Sequence, residues 1–325
     1  MATIKDVAKL AGVSVATASR VLNNRGYLSD NAKQKVFDAM KELNYQPNDL
    51  ARSLYRQKSN ILGLIVPAVS HPFFGEIARM IEFYAYSQGY KVLICNSLQN
   101  HAKEQEYINM LKRSQVDGIV MGSHLLNIED YIGLDLPICS LDRKLSDTIP
   151  YVCCDNYHGG ALATRHLLSK GCKKLLHISG SLEITMLSNR RTDAFIDVCM
   201  ESDIPYVAYE LPDSSVINFN EEDYLRDILE RNPDCDGVFA TSDITAAMVV
   251  SIALSMKRSI PENLKIVGFD GSLMSDLVFP KLTSIQQPLD AICRYAVEYL
   301  VRQINGETIP NQTILPVSLL ERGST

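Results

Sequence analysis

Much of what would mark a secreted, membrane-bound or nucleotide-handling protein is missing from these 325 residues. No apolar run reaches the ~18 residues a membrane-spanning helix needs, so no span and no membrane partner are expected. The N-terminus is polar and helix-forming from residue 3, without the apolar stretch of a signal peptide, which makes the cytoplasm the expected location. None of the eight cysteines, scattered from Cys95 to Cys293, stands in a C-x-x-C spacing. Buried, reduced thiols are therefore expected, and no metal or cofactor is called for. Neither G-x-x-x-x-G-K-[ST] nor G-x-G-x-x-G occurs, so phosphate-cradling and dinucleotide readings lose their main support. No nucleophile–base set stands out either, so no catalytic residue is assigned and an enzyme is not expected. Internal repeats and low-complexity tracts are also lacking.

Charge is present but unevenly placed. Residues 1–60 hold ten Lys/Arg against five Asp/Glu, a net of +5, while the remainder carries a net of -11. A basic head on an acidic body is the balance expected of a DNA-binding module joined to a non-binding body.

The head reads as helices around a tight turn. Thr3 caps the first, with Asp6 three residues on, as in a capping box. Val7, Ala8 and Ala11 recur at helical spacing. Gly12 permits the turn, and Ser14 caps a second helix that turns Ala18, Val21 and Leu22 inward. Val15, Ala16, Thr17, Ser19 and Arg20 are left outside, near that helix's start. In a helix-turn-helix these are the positions that meet base edges in the major groove. Ser29 caps a third helix with Ala32, Val36, Ala39, Met40 and Leu43 on one face, and Pro47 ends it. Asn48 then opens a short helical piece to Arg56. Alone it is marginal in water, so it needs a partner, its own copy or DNA, unless it is a plain linker.

From Ile61 onward the texture changes. Apolar runs at Ile61–Val66, Val92–Cys95, Gly118–Met121, Ile138–Leu141, Tyr151–Cys154, Leu175–Ser179, Val207–Leu211, Gly237–Ala240 and Lys265–Phe269 read as buried strands. Helical patterns lie between them. Such βαβ alternation implies parallel sheets covered on both faces. Two sheets of four to six strands suit this length, with a ligand expected at the C-terminal ends of the strands.

Residues 4–60 resemble the DNA-binding head of the lactose/galactose repressor family. The resemblance is carried by Asp6-Val7-Ala8, Ala11-Gly12-Val13-Ser14, Ser19-Arg20-Val21-Leu22-Asn23, Leu43-Asn44-Tyr45-Gln46-Pro47-Asn48 and Ala51-Arg52-Ser53-Leu54. It continues through Asn156-Tyr157-His158-Gly159-Gly160, Val267-Gly268-Phe269-Asp270-Gly271 and Leu282-Thr283-Ser284-Ile285-Gln286-Gln287-Pro288. It implies an α/β, two-lobed, periplasmic-binding-protein-like body of two parallel doubly wound sheets behind an all-α helix-turn-helix head. The implied divisions are residues 1–47, a hinge at 48–60, and a body at 61–325 with lobes of 61–156 plus 286–314 and 157–285 plus 315–325. Gly122-Ser123-His124, Asp142-Arg143 and Leu315-Pro316-Val317-Ser318-Leu319-Leu320 further resemble repressors of sucrose utilisation, with ribose-operon repressors second.

The resemblance implies a homodimer on a pseudo-palindromic operator, released by a sugar or sugar phosphate, or answering a phosphorylated carrier protein. Val15, Ala16 and Arg20 are then implied to meet bases, and Thr3, Ser14, Thr17 and Ser19 phosphates. Asn48, Ala51, Arg52 and Leu54 belong to a hinge helix in the minor groove, with Leu54 as an apolar wedge. For the effector, Phe73 and Phe74 offer aromatic faces, although one of them also suits a helix-start core. Asp142, Arg143 and Asp270 follow buried strands, where charge is costly unless used or paired. Arg191 matches the arginine that forks onto the effector, and Gln287 a position at a crossover strand. His71 and Ser242 stand where sugar-binding relatives often carry asparagine, although His71 also suits a surface histidine.

Overall fold

Helix α1, Ile4–Ala11, stops because Gly12 adopts φ 66°, ψ 32°, a left-handed conformation that costs glycine little. Helix α2, Val15–Leu22, starts again from Ser14, whose Oγ accepts from the Thr17 N–H at 3.1 Å. Helix α3, Asp30–Glu42, is capped by Ser29, which accepts from the Ala32 N–H. It ends before Pro47 is reached: Leu43 closes it and Asn44 turns the chain at φ 45°. Val7, Ala8, Ala11, Ala18, Val21, Val36 and Ala39 form the shared core, while Leu22 is only half-buried. These elements come from a computed structural model that describes residues 2–22, 28–46, 58–123, 125–126, 130–131, 133–211 and 221–325. It divides into two units, Met1–Ser59 and Asn60–Thr325.

The second unit holds two six-stranded sheets. The first runs β11-β5-β4-β3-β1-β2, from β1 (Ile61–Val66), β2 (Lys91–Asn96), β3 (Gly118–Met121), β4 (Ile138–Leu141), β5 (Tyr151–Cys154) and β11 (Gln312–Leu315). The other runs β12-β10-β9-β8-β6-β7, from β6 (Leu175–Ser179), β7 (Tyr206–Glu210), β8 (Gly237–Ala240), β9 (Lys265–Asp270), β10 (Thr283–Gln286) and β12 (Ser318–Leu320). All pairings are parallel except β10 with β12. Buried strands such as β3, β4, β5 and β8 are covered on both faces, as their unbroken apolar runs require.

The covering helices are α4 (Pro72–Ser87), α5 (His101–Arg113), α6 (Asn156–Ser169), α7 (Arg190–Glu201), α8 (Glu222–Arg231), α9 (Asp243–Ser255), the short α10 (Leu273–Leu277) and α11 (Leu289–Ile304). The chain passes from one sheet to the other after β5, after β10 and after β11. All eight cysteines are buried and unbridged. Among the described residues no helix is long and apolar enough to cross a membrane.

Candidate functional site

Two surfaces of the head are set by its caps. The Asp6 carboxylate accepts from the Thr3 N–H and the Thr3 hydroxyl, both at 2.8 Å. That hydroxyl holds Asp6 below the usual carboxylate range. Ser14 Oγ and Thr17 Oγ1 lie 2.9 Å apart, so these two side chains face each other across the first turn of α2. Val15, Ala16 and Arg20 are exposed, and Ser19 is half-buried. The expected contacts Asn48, Ala51, Arg52 and Leu54 lie outside the described residues.

Within the second unit, a cavity of about 180 Å³ opens at the C-terminal ends of the strands. His71, Phe73, Phe74, Asp142, Arg191, Ser242, Asp270 and Gln287 line it, drawn from both sheets. Arg143, expected beside Asp142, does not line it. Asp142 sits at φ 56°, and this left-handed residue sends the following side chain elsewhere, where its charge is felt by the buried Tyr131 phenol.

Helix α4 builds the aromatic wall. His71 is its N-cap, accepting from the Phe73 N–H at 3.3 Å, and Pro72 fills the first helical position, where its missing N–H costs nothing. The histidine is buried rather than on the surface, and burial pushes its imidazole down to about 4. Phe73 and Phe74 meet edge to face at 5.2 Å and both pack on the core while lining the cavity.

Arg191 is held on three sides. Its Nε donates to Asn156 Oδ1 at 2.7 Å, its Nη1 donates to the Thr241 carbonyl at 2.8 Å, and its guanidinium lies 3.6 Å above the Phe269 ring. The two glycines of α6 make this possible. A Cβ on Gly160 would sit 2.5 Å from the Arg191 carbonyl oxygen, and one on Gly159 would sit 2.7 Å from the Phe269 ring. Next along α7, Thr192 is held by His177 Nε2 at 2.9 Å. That histidine is fully buried, stacked on Phe195 at 4.6 Å, with Nδ1 3.0 Å from the Phe239 carbonyl. Burial pushes it down to about 4.

The carboxylates face opposing influences. Burial raises Asp142, while Arg191 and hydrogen bonds from Asn156 and Ser188 pull it down. Asn156 Nδ2 donates to Asp142 Oδ1 at 2.6 Å, so one amide joins a carboxylate beyond the first sheet to the guanidinium beside the second. Asp270 is raised by burial and then by the neighbouring Asp243, against the pull of Arg191 and of Gln287, whose Nε2 donates to it at 2.8 Å. Ser242 lines the cavity but is committed as the N-cap of α9, accepting from the Thr245 N–H at 3.2 Å. Sequence reasoning missed Asn156, Ser188, Thr241 and Asp243. Asn156 carried a usable signal, since the polar pair Asp155-Asn156 follows the apolar strand Tyr151–Cys154 much as Asp142 and Asp270 follow theirs.

Aromatic walls with carboxylates and a guanidinium suit a polyhydroxylated ligand: C–H faces stack while hydroxyls donate to aspartate and accept from arginine. Residues 3–48 match the model of bacterial regulatory proteins, lacI family, and residues 164–325 the periplasmic binding protein-like domain. The chain is 39% identical to the ribose operon repressor of Halalkalibacterium halodurans, over 100% of this chain and 97% of the relative. It is 40% identical to the sucrose operon repressor of Streptococcus mutans, over 98% of each. Among solved structures, a periplasmic binding protein/LacI transcriptional regulator from Alkaliphilus metalliredigens, complexed with D-xylulofuranose, is 32% identical at a TM-score of 0.73, covering 82% of this chain and 99% of its own. A helix-turn-helix head, a two-sheet body with a cavity at its strand ends, and full-length kinship to operon repressors place this chain in the lacI family of bacterial regulatory proteins, as a DNA-binding transcriptional repressor.

Proposed function

We propose that this repressor controls a carbohydrate-utilisation operon, sucrose utilisation first, by binding a sugar in the cavity of its body. The observation that carries this reading is the convergence of Phe73, Phe74, Asp142, Arg191, Asp270 and Gln287 on one cavity from both sheets. Identity to a sucrose operon repressor and the D-xylulofuranose bound by the related regulator support a ketofuranose such as the fructosyl unit. Ribose control is the second reading, supported by near-equal identity to a ribose operon repressor.

In this scheme residues 1–47 read the operator, residues 48–60 form the hinge, and residues 61–325 hold the effector. The protein works in the cytoplasm as a homodimer and is not an enzyme; two heads match two half-sites. Val15 and Ala16 offer only apolar contact, so Arg20 carries the polar base readout. Sugar binding alters the geometry delivered to the hinge. Since the short helical piece expected from the sequence of residues 48–56 would be marginal alone, a coupling of about 1–3 kcal/mol shifts its occupancy and releases the operator.

Isothermal titration of the full chain with sucrose, D-fructose and D-ribose, beside a gel shift on operator DNA, tests the scheme. One sugar is expected both to give heat and to release the DNA. If no sugar does either, sugar control fails and a protein partner takes its place. Leu54→Ala is expected to weaken operator binding and leave sugar heats unchanged; equal operator affinity for variant and wild type removes the wedge.

A further inference from the structure

We propose that the cavity selects an uncharged sugar and discriminates against the same sugar carrying a phosphoryl group, a refinement that rests on the sugar reading above. Charge is the first observation. Two acidic side chains, Asp142 and Asp270, line the cavity against one guanidinium, that of Arg191, among the described residues, and burial already disfavours the charged form of both acids. Beneath Asp270 lies a third, Asp243, fully buried and accepting from the Ser272 N–H at 2.7 Å and from Ser284 Oγ at 2.5 Å. His71 adds no positive charge at neutral pH, because burial favours its uncharged form.

The second observation is where the cation points. A phosphate is held best by two parallel N–H groups of a guanidinium. Two nitrogens of Arg191 are instead committed to Asn156 and to the Thr241 carbonyl, and its face is covered by Phe269.

The third concerns helix ends, which are ready anion sites when their N–H groups are open. Helices α4, α6 and α9 begin just beyond β1, β5 and β8, on the cavity side of the sheets. In each, the cap residue already accepts from N–H groups of the first turn. In α4, Pro72 has no N–H, Phe73 donates to His71 Nδ1 and Gly75 to the His71 carbonyl. In α6, His158 donates to Asp155 Oδ1 and Gly159 to the Asp155 carbonyl. In α9, Thr245 donates to Ser242 Oγ and Ala246 to the Ser242 carbonyl. A sugar hydroxyl can donate to or accept from Asp142 and Asp270 in either protonation state, whereas a phosphoryl group pairs only with their protonated forms and adds negative charge where burial already disfavours the charged form of both.

Isothermal titration of the full chain at neutral pH, with each free sugar that binds and with its terminal phosphate ester, reads the selection directly. The ester is expected to bind at least tenfold more weakly, ~1.4 kcal/mol. Asp142→Asn and Asp270→Asn, each checked for folding by circular dichroism, are expected to narrow that ratio. An ester that binds as tightly as the free sugar, or more tightly, overturns the proposal while the sugar reading stands. An unchanged ratio in both folded variants overturns the charge argument and leaves shape as the cause. If neither sugars nor esters bind, the sugar reading falls and this selection with it.

Discussion

The head and the body bury different things. The buried core of the head consists of valine and alanine, and its proposed contact residues Val15, Ala16 and Arg20 face outward. The body buries leucine, isoleucine and phenylalanine, among them Phe195, Phe239 and Phe269, and its proposed contact residues are embedded in that mass. Arg191 is 7% exposed and Gln287 also 7%. In the head, the proposed base contacts and the core are carried by separate side chains, and only the caps Thr3 and Ser14, expected at phosphates, serve both ends. In the body the same side chains carry both, so substitutions there are expected to move affinity and stability together.

The largest expected effect comes from Arg191→Ala. It leaves Asn156 Oδ1 and the Thr241 carbonyl without their donor and removes the charge that offsets Asp142 and Asp270, at about 1–3 kcal/mol for each buried group left unsatisfied. Urea unfolding is expected to show that loss, titration to show no sugar heat, and the operator complex to persist at every sugar concentration. Lost sugar binding at unchanged stability would break the comparison.

Next comes the pH response of the body. His177 is neutral when folded, with its imidazole near 4 against 6.5 for an unperturbed histidine. The unfolded chain therefore binds the proton first, and stability present above pH 6.5 is lost as pH falls toward 4. The slope is about 1.4 kcal/mol per pH unit. His71 contributes in the same direction. Raised carboxyls such as Asp142 act oppositely, so the readout is the difference between wild type and His177→Gln. Urea unfolding at the two ends of the window is expected to show a shallower decline in the variant. Equal slopes would detach His177 from the titration.

Arg20→Ala sharpens the head's side of the contrast. A loss of about 1–3 kcal/mol in operator affinity is expected, with sugar heats and unfolding unchanged. A stability loss as large as the affinity loss would show that the head's two roles are not separate. The smallest effect is assigned to Ser14→Ala, which removes the acceptor for the Thr17 N–H and costs about 1 kcal/mol of local helix stability. Faster amide exchange at the start of α2 is the measurement.

Strand positions such as Ile61–Val66 and Gly118–Met121 were legible because a strand buried on both faces needs an unbroken apolar run. The same rule missed β10, where Thr283 and Ser284 are fully buried polar residues. Ser324 Oγ accepts from the Thr283 N–H, and Ser284 Oγ donates to Asp243, partners that sequence spacing does not reveal. Asp142 and Asp270 stood out because charge directly after an apolar strand demands a use. Their conformations did not, since φ of 56° and 123° is a property of the folded turn rather than of residue type. Arg191 and Gln287 were legible through family resemblance alone, because residues brought together from α7 and from the end of β10 share no local pattern.

The three passages of chain between the sheets have a mechanical consequence. Asn156 stands just after one passage and Gln287 just before another, so both sit close to the fulcrum of any rotation of one sheet against the other. Near a fulcrum, travel is small and leverage is large. In such a rotation, a slight change at Asn156, whose amide ties Asp142 to Arg191, would be multiplied along the lever arms into displacement at the far ends of both sheets.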